Sequence, residues 1–235
     1  MGVNMKSTEN CGICGKSLIY GTEKVSVECS SCGETHDTLI YCPEGHYICD
    51  TCHSRQALDV LREVLQSTTS TNPLEILEKI MSHPSVPMHG PEHHAIVPAI
   101  IVASVENSGY PVPEGAVETA IERGSKVPGG WCGFFGACGA AVGVGVAVSV
   151  LTEATPLTGK TRSLAIEATS LALKGMLDDG PRCCKRASRK AIESAMDFLE
   201  RRRDIKLAGY DDIACQYVER NRECIREECA YFVVN

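Results

Sequence analysis

Between residues 11 and 52 the chain reads Cys11-Gly-Ile-Cys14-Gly, Cys29-Ser-Ser-Cys32-Gly and Cys42-x3-His46-x2-Cys49-x2-Cys52. No other feature of the sequence constrains the fold as much. A two-residue spacer lets two thiolates grip one ion. The Gly after the second Cys of the first two motifs permits the tight turn that aims backbone N–H groups at sulfur. Eight ligands make two closed tetrahedral sites of the structural kind, so two zinc ions are the expected cofactors. Sequential pairing would join Cys11, Cys14, Cys29 and Cys32. A cross-brace would join Cys11 and Cys14 with Cys42 and His46. His53 reads as an exposed residue outside both sets.

The rest of residues 1–53 is polar, with almost no aliphatic periodicity, and cannot build an apolar core of its own. The first ten residues, MGVNMKSTEN, lack the apolar run of a signal peptide. Lys6 stands where a myristoylation signal wants Ser or Thr. The expected home is the cytoplasm, where fourteen Cys in 235 residues mean thiols and metal ligands rather than disulfides. Anaerobic cytoplasm suits so many thiols. A net charge of -7 argues against a generally basic nucleic-acid surface, and 5% aromatic residues argue against base-stacking platforms. The uncharged stretch 127–152 is too rich in Gly for a bilayer span and reads as a loop followed by a buried helix.

From residue 54 onward the periodicity is helical. Leu58, Leu61 and Leu65 mark one helix. Pro73 opens a second through Ile80, and His83-Pro84 ends it. A Pro- and His-containing loop is expected over 84–94. Helices are then expected over 96–105, 114–123, 139–153, 163–177 and 188–203, the last two amphipathic. The fold class is therefore mainly α: a small two-zinc ribbon or treble-clef-like module over 1–53, then an all-helical Cys-rich domain over 54–235.

The helical domain carries Gly129-Gly-Trp-Cys132-Gly-Phe-Phe-Gly-Ala-Cys138-Gly-Ala-Ala-Val-Gly143. Cys138 stands at a helix start whose first turn is Gly and Ala, where N–H groups and the helix dipole favour a thiolate or an anionic cluster. Gly139, Gly143 and Ala147 make a flat face for close approach of a helix or a ligand. In Asp178-Asp-Gly-Pro181-Arg-Cys183-Cys184-Lys-Arg186 the chain breaks and two Cys open the next helix. Arg182, Lys185 and Arg186 are expected to lower their pKa. Adjacent Cys rarely both bind one iron site, so one of the pair is expected to be an outer or redox-active thiol. His93 and His94 are candidate general bases or ligands. Glu153 and Glu167 read as solvated.

His94-Ala-Ile-Val-Pro-Ala99, Cys138-x-Ala-x-x-Gly143-x-x-x-Ala147, Thr155-Pro156, Leu173-Lys174 and Cys184-Lys-Arg186-Ala187 follow in an order that resembles the iron–sulfur domain of L-serine dehydratases, over residues 90–197. L-cysteine desulfidases are similar in chemistry. The resemblance implies a [4Fe–4S] cluster held by three Cys, whose open iron acts as a Lewis acid in a β-elimination. Its ligands here would be Cys138 and Cys184, then Cys183 and Cys132. Ala141 stands where that family has Glu, and its substrate-binding domain has no counterpart here. The whole chain also resembles an uncharacterised Cys-rich family of methanogens and anaerobes with a zinc module before a helical domain. The cross-brace spacing is similar to that of ubiquitin-ligase modules.

From Pro181 to Lys206 nine Lys or Arg face four acids, a local excess that could attract an acidic substrate, a cofactor phosphate or RNA. The tail spacing Cys215-x8-Cys224-x4-Cys229 is not a standard knuckle. The leading expectation is an iron–sulfur enzyme acting on a small hydroxyl- or thiol-bearing substrate by β-elimination or sulfur transfer. The alternative is a zinc-stabilised binding module that docks a partner protein, or RNA, without catalysis. A redox sensor built on Cys183 and Cys184 is a third. No membrane partner is expected.

Overall fold

The computed structural model describes residues 6–11, 13–177, 180–209 and 213–233. Asp178 and Asp179 of the expected chain break lie outside the described residues. The chain divides into two units, Met1–His53 and Ser54–Asn235.

The first unit is a three-stranded antiparallel sheet in the order β1-β2-β3, with β1 at Lys6–Asn10, β2 at Ser17–Glu28 and β3 at Thr35–Tyr41. The two Cys-x-x-Cys-Gly motifs are its hairpin turns. Cys11 N–H donates to Lys16 O at 2.7 Å and Gly15 N–H to Cys11 O at 2.8 Å. The second turn copies the first: Cys29 N–H reaches Glu34 O at 2.8 Å and Gly33 N–H reaches Cys29 O at 2.9 Å. Gly15 and Gly33 have φ of +72° and +75°, values that only Gly adopts without strain. Among the described residues of this unit the buried apolar side chains are Cys11, Cys29, Cys42 and Cys49. Sulfur takes the place of an aliphatic core.

Helix α1 (Asp50–Ser67) starts four residues before the expected position, because Cys49 and Cys52 form its entry turn, with His53 N–H donating to Cys49 O at 2.8 Å. The other helices are α2 (Pro73–Ser82), α3 (Glu92–Asn107), α4 (Ala116–Ser125), α5 (Trp131–Phe134), α6 (Gly139–Leu151), α7 (Gly159–Lys174) and α8 (Cys184–Arg203). Asn72 caps α2 by accepting from Leu74 N–H and Glu75 N–H, and Pro73 presets its first turn. The protein is mainly helical. Among the described residues no helix is long and apolar enough to cross a membrane.

The core of the second unit is α3. Every side chain from Glu92 to Val105 is buried, and α2, α4, α6 and α8 pack around it. Its apolar residues have no one-sided stripe, the signature of a helix walled in by others. His93 and His94, expected in a loop, lie in its first turn. Small residues set the approach of its neighbours. A Cβ on Gly124 would fall 2.4 Å from His94 O and 2.6 Å from Ala95 Cα, and one on Gly143 would fall 2.9 Å from Pro98 Cδ. Pro98 withholds the N–H that a regular helix would turn toward His94 O, and that carbonyl faces the bare Cα of Gly124 and Gly143. Gly124→Ala is therefore expected to destabilise the protein on the order of 1–2 kcal/mol, the clash with backbone exceeding the gain in helix propensity. A urea midpoint equal to or above that of the native chain would contradict this.

Candidate metal and thiol centres

The four turns of the first unit bring its ligands together in two sets. One is Cys11, Cys14, Cys42 and His46; the other is Cys29, Cys32, Cys49 and Cys52. Within each set the ligand atoms all lie within 4.8 Å of one another. The first and third motifs pair, and the second and fourth, so the arrangement is the cross-brace. Cys14 Sγ is 3.5 Å from Cys42 Sγ, Cys42 Sγ is 3.8 Å from His46 Nδ1, and Cys32 Sγ is 3.9 Å from Cys49 Sγ. A tetrahedral ion with metal–sulfur bonds of about 2.3 Å sets its sulfurs about 3.8 Å apart. Both donor sets fit such an ion. His53 is exposed and belongs to neither set.

Backbone amides prepare the sulfurs for negative charge. Ile13 N–H donates to Cys11 Sγ at 3.4 Å, Glu44 N–H to Cys42 Sγ at 3.4 Å and Cys49 N–H to Cys29 Sγ at 3.3 Å. Burial alone would raise the Cys11 and Cys29 thiols. Amides and neighbouring thiols outweigh it and bring them down to about 7 and about 6.

In the second unit the starts of α3, α6 and α8 meet. Cys138 is the N-cap of α6, and Cys184 is the first residue of α8. The two thiols are near enough for each to feel the other's charge, and Glu92 adds to the field at Cys184. The His94 ring lies flat against Gly139: a Cβ there would sit 2.3–2.4 Å from Cγ, Cδ2 and Nε2. His94 Nδ1–H donates to Val127 O at 2.8 Å, which leaves the lone pair on Nε2. His93 is fully buried, with Nδ1 at 2.9 Å from Glu92 Oε1 and 3.2 Å from Gly90 O.

The expected fall in the pKa of the vicinal thiols is not found. Burial pushes Cys184 up to about 12, against the Gly90 N–H and the Arg182 charge, and burial likewise raises Cys183. The flanking cations point elsewhere. Lys185 is fully buried, with Nζ donating to Met81 O and Val86 O at 3.3 and 3.4 Å, and burial lowers its pKa to about 8. Arg186 donates to Pro181 O at 2.8 Å.

Cys183 is the N-cap of α8, with extended backbone at φ -143° and ψ 101°, and Cys184 is the first helical residue, so the vicinal pair faces two neighbourhoods. Cys184 meets Cys138 and Glu92, whereas Cys183 feels Cys215 and Cys229. Cys132 is exposed on α5, in a turn bounded by Gly130 and Gly136 at positive φ. Cys132, Cys138, Cys183 and Cys184 therefore do not form one close-set group among the described residues.

Sequence reasoning missed two residues here. Glu92 is buried at the base of α3. His89 bridges two segments: Nδ1 accepts from Cys184 N–H at 3.5 Å, and Nε2 lies 3.3 Å from Asn221 Oδ1. Only the clustering of His and Glu beside Pro91 hinted at them. The basic excess of α8 is largely engaged within the chain. Lys185, Arg186 and Arg189 are buried, Arg201 pairs with Asp197, and Arg202 meets Glu167 at 2.9 Å.

No curated protein and no solved structure matches the chain. Residues 61–232, which begin after the last ligand of the cross-brace and take in α2 to α8 and the tail thiols, match one family. The chain belongs to that family, described as "Family of unknown function (DUF5714)".

Proposed function

We propose that the second unit is an enzyme built around an iron–sulfur centre, and that the first unit is a structural module holding two zinc ions. Cys138 and Cys184 are the leading ligands of the centre, with Cys132, in its glycine-bounded turn, as the third sulfur. One observation carries the reading: Cys138, the N-cap of α6, and Cys184, the first residue of α8, both stand at helix starts against the base of α3, with the His94 ring on Gly139 and His89 accepting from Cys184 N–H. Helix starts favour anionic groups, and a thiol that binds a metal there releases its proton as the bond forms. When bound, such a centre supplies an open iron that polarises a hydroxyl or thiol leaving group. His94, fixed by Val127 O with its lone pair on Nε2, is the group suited to take a proton from a small substrate. Elimination from a small amino acid and sulfur transfer both suit this arrangement.

Protein purified without oxygen is expected to contain iron and acid-labile sulfide besides the two zinc ions of the cross-brace. Cys138→Ser and Cys184→Ser are expected to lose the iron and sulfide and keep the zinc. Zinc alone in the native protein would overturn the proposal. Its competitor, a docking module with structural metals only, requires that Cys138→Ser change folding without removing iron.

A further inference from the structure

The tail from residue 213 to 233 has little to hold it in place. Its regular structure is two 3-10 turns, Val218–Arg220 and Arg226–Glu228, and its buried side chains are Tyr217, Asn221 and Tyr231. Yet it is drawn closely onto the start of α8. The Tyr217 and Tyr231 rings lie 5.5 and 5.1 Å from the Arg189 guanidinium, and Cys215 N–H donates to Tyr231 O at 2.8 Å. Ile225 Cγ2 lies 3.3 Å from where a Cβ on Gly180 would be. These contacts carry Cys215, Cys224 and Cys229 toward Cys183.

We propose that Cys183, Cys215, Cys224 and Cys229 form a third metal site, which takes one thiophilic divalent ion and fastens the tail to α8. The local hydrogen bonding matches that of the cross-brace ligands. Tyr217 N–H donates to Cys215 Sγ at 3.4 Å and Arg226 N–H to Cys224 Sγ at 3.5 Å, two residues on in each case, as Ile13 does to Cys11 and Glu44 to Cys42. Cys183 Sγ accepts from Arg186 N–H at 3.5 Å. Such amides stabilise a sulfur once it is anionic. No three of the four sulfurs lie within 4.8 Å of one another, so binding draws the tail thiols in around the ion. Each thiol releases its proton to solvent as its metal–sulfur bond forms. The site is separate from the centre at Cys138 and Cys184 and stands whether or not that centre binds iron.

The test is pulsed alkylation of the zinc-loaded, full-length protein, read at each Cys by mass spectrometry. Cys183, Cys215, Cys224 and Cys229 are expected to be protected together and to become reactive together on chelation. Cys215→Ser is expected to expose the other three and lower the zinc content by one ion per chain, with the cross-brace Cys still protected. Cys224→Ser serves the same purpose should the first variant fail to fold. Cys138→Ser is expected to leave the four protected; exposure of Cys183 in that variant would overturn the proposal. Labelling of the tail thiols at the same rate with and without metal would overturn it too, as would protection that survives chelation and yields only to a reductant, the mark of a disulfide.

Discussion

Removal of metal from the N-terminal unit is expected to unfold that unit while the helical unit stays folded. Its described buried apolar side chains are four Cys, so once the ions leave, nothing else holds the sheet. Structural zinc contributes about 10–16 kcal/mol in small modules of this type, far more than three short strands gain from their own pairing. The helical unit has a core of aliphatic side chains centred on Ile96, Ile100 and Ile101 and has no such dependence. In the reduced protein, a strong chelator should collapse the dispersed amide resonances of β2 and β3 and leave most of the far-UV helical signal. Added zinc should restore them. Loss of either ion should disturb both sites, since the two ligand sets alternate along the chain. Dispersed strand resonances in metal-free, reduced protein would refute this account.

Glu78→Ala is expected to destabilise the helical unit by about 3–5 kcal/mol, because it leaves a buried guanidinium without its carboxylate. Arg189 is 1% exposed and meets Glu78 through two bonds, Nε to Oε1 at 2.6 Å and Nη2 to Oε2 at 2.8 Å. The flat guanidinium lies over the Tyr217 and Tyr231 rings. Those rings add cation–π attraction but accept no N–H bond in place of the carboxylate. Glu78→Gln keeps one acceptor and should cost less. Replacing both partners, Glu78→Leu with Arg189→Met, should recover much of the loss, because neither charge is then buried. Urea unfolding of the four proteins checks the series. A loss below about 1 kcal/mol for Glu78→Ala would class the pair with exposed ion pairs.

Much of this architecture could be read in advance, for identifiable reasons. The knuckles were legible because the two-residue spacer and the following Gly are geometric requirements of two thiols sharing an ion. Their pairing was not, because the spacing suits both arrangements and the choice depends on strands that lack clean alternation. In β2 only Val25 and Val27 show the period of two. Most helices were legible from their apolar spacing, but α5, a single turn inside the stretch read as a loop, was not. The start of α3 was obscured by Pro84, Pro87 and Pro91, although Pro91 directly before Glu92 is itself a helix-start signal. The split of Cys183 and Cys184 follows from the extended backbone of the N-cap, once α8 is known to begin at Cys184. The state of their thiols was misjudged because Lys185 and Arg186 count as neighbouring charge in the sequence, whereas in the fold they serve backbone carbonyls and burial dominates.

Enclosure of α3 on every flank leaves that helix no neutral surface on which mutations could accumulate unnoticed. A larger residue at Ala95 would press on Gly124, and a different residue at Pro98 would alter the fit at Gly143. Divergence within the lineage should therefore proceed there by paired exchanges with the surrounding helices, while the outward side of α1 drifts one position at a time.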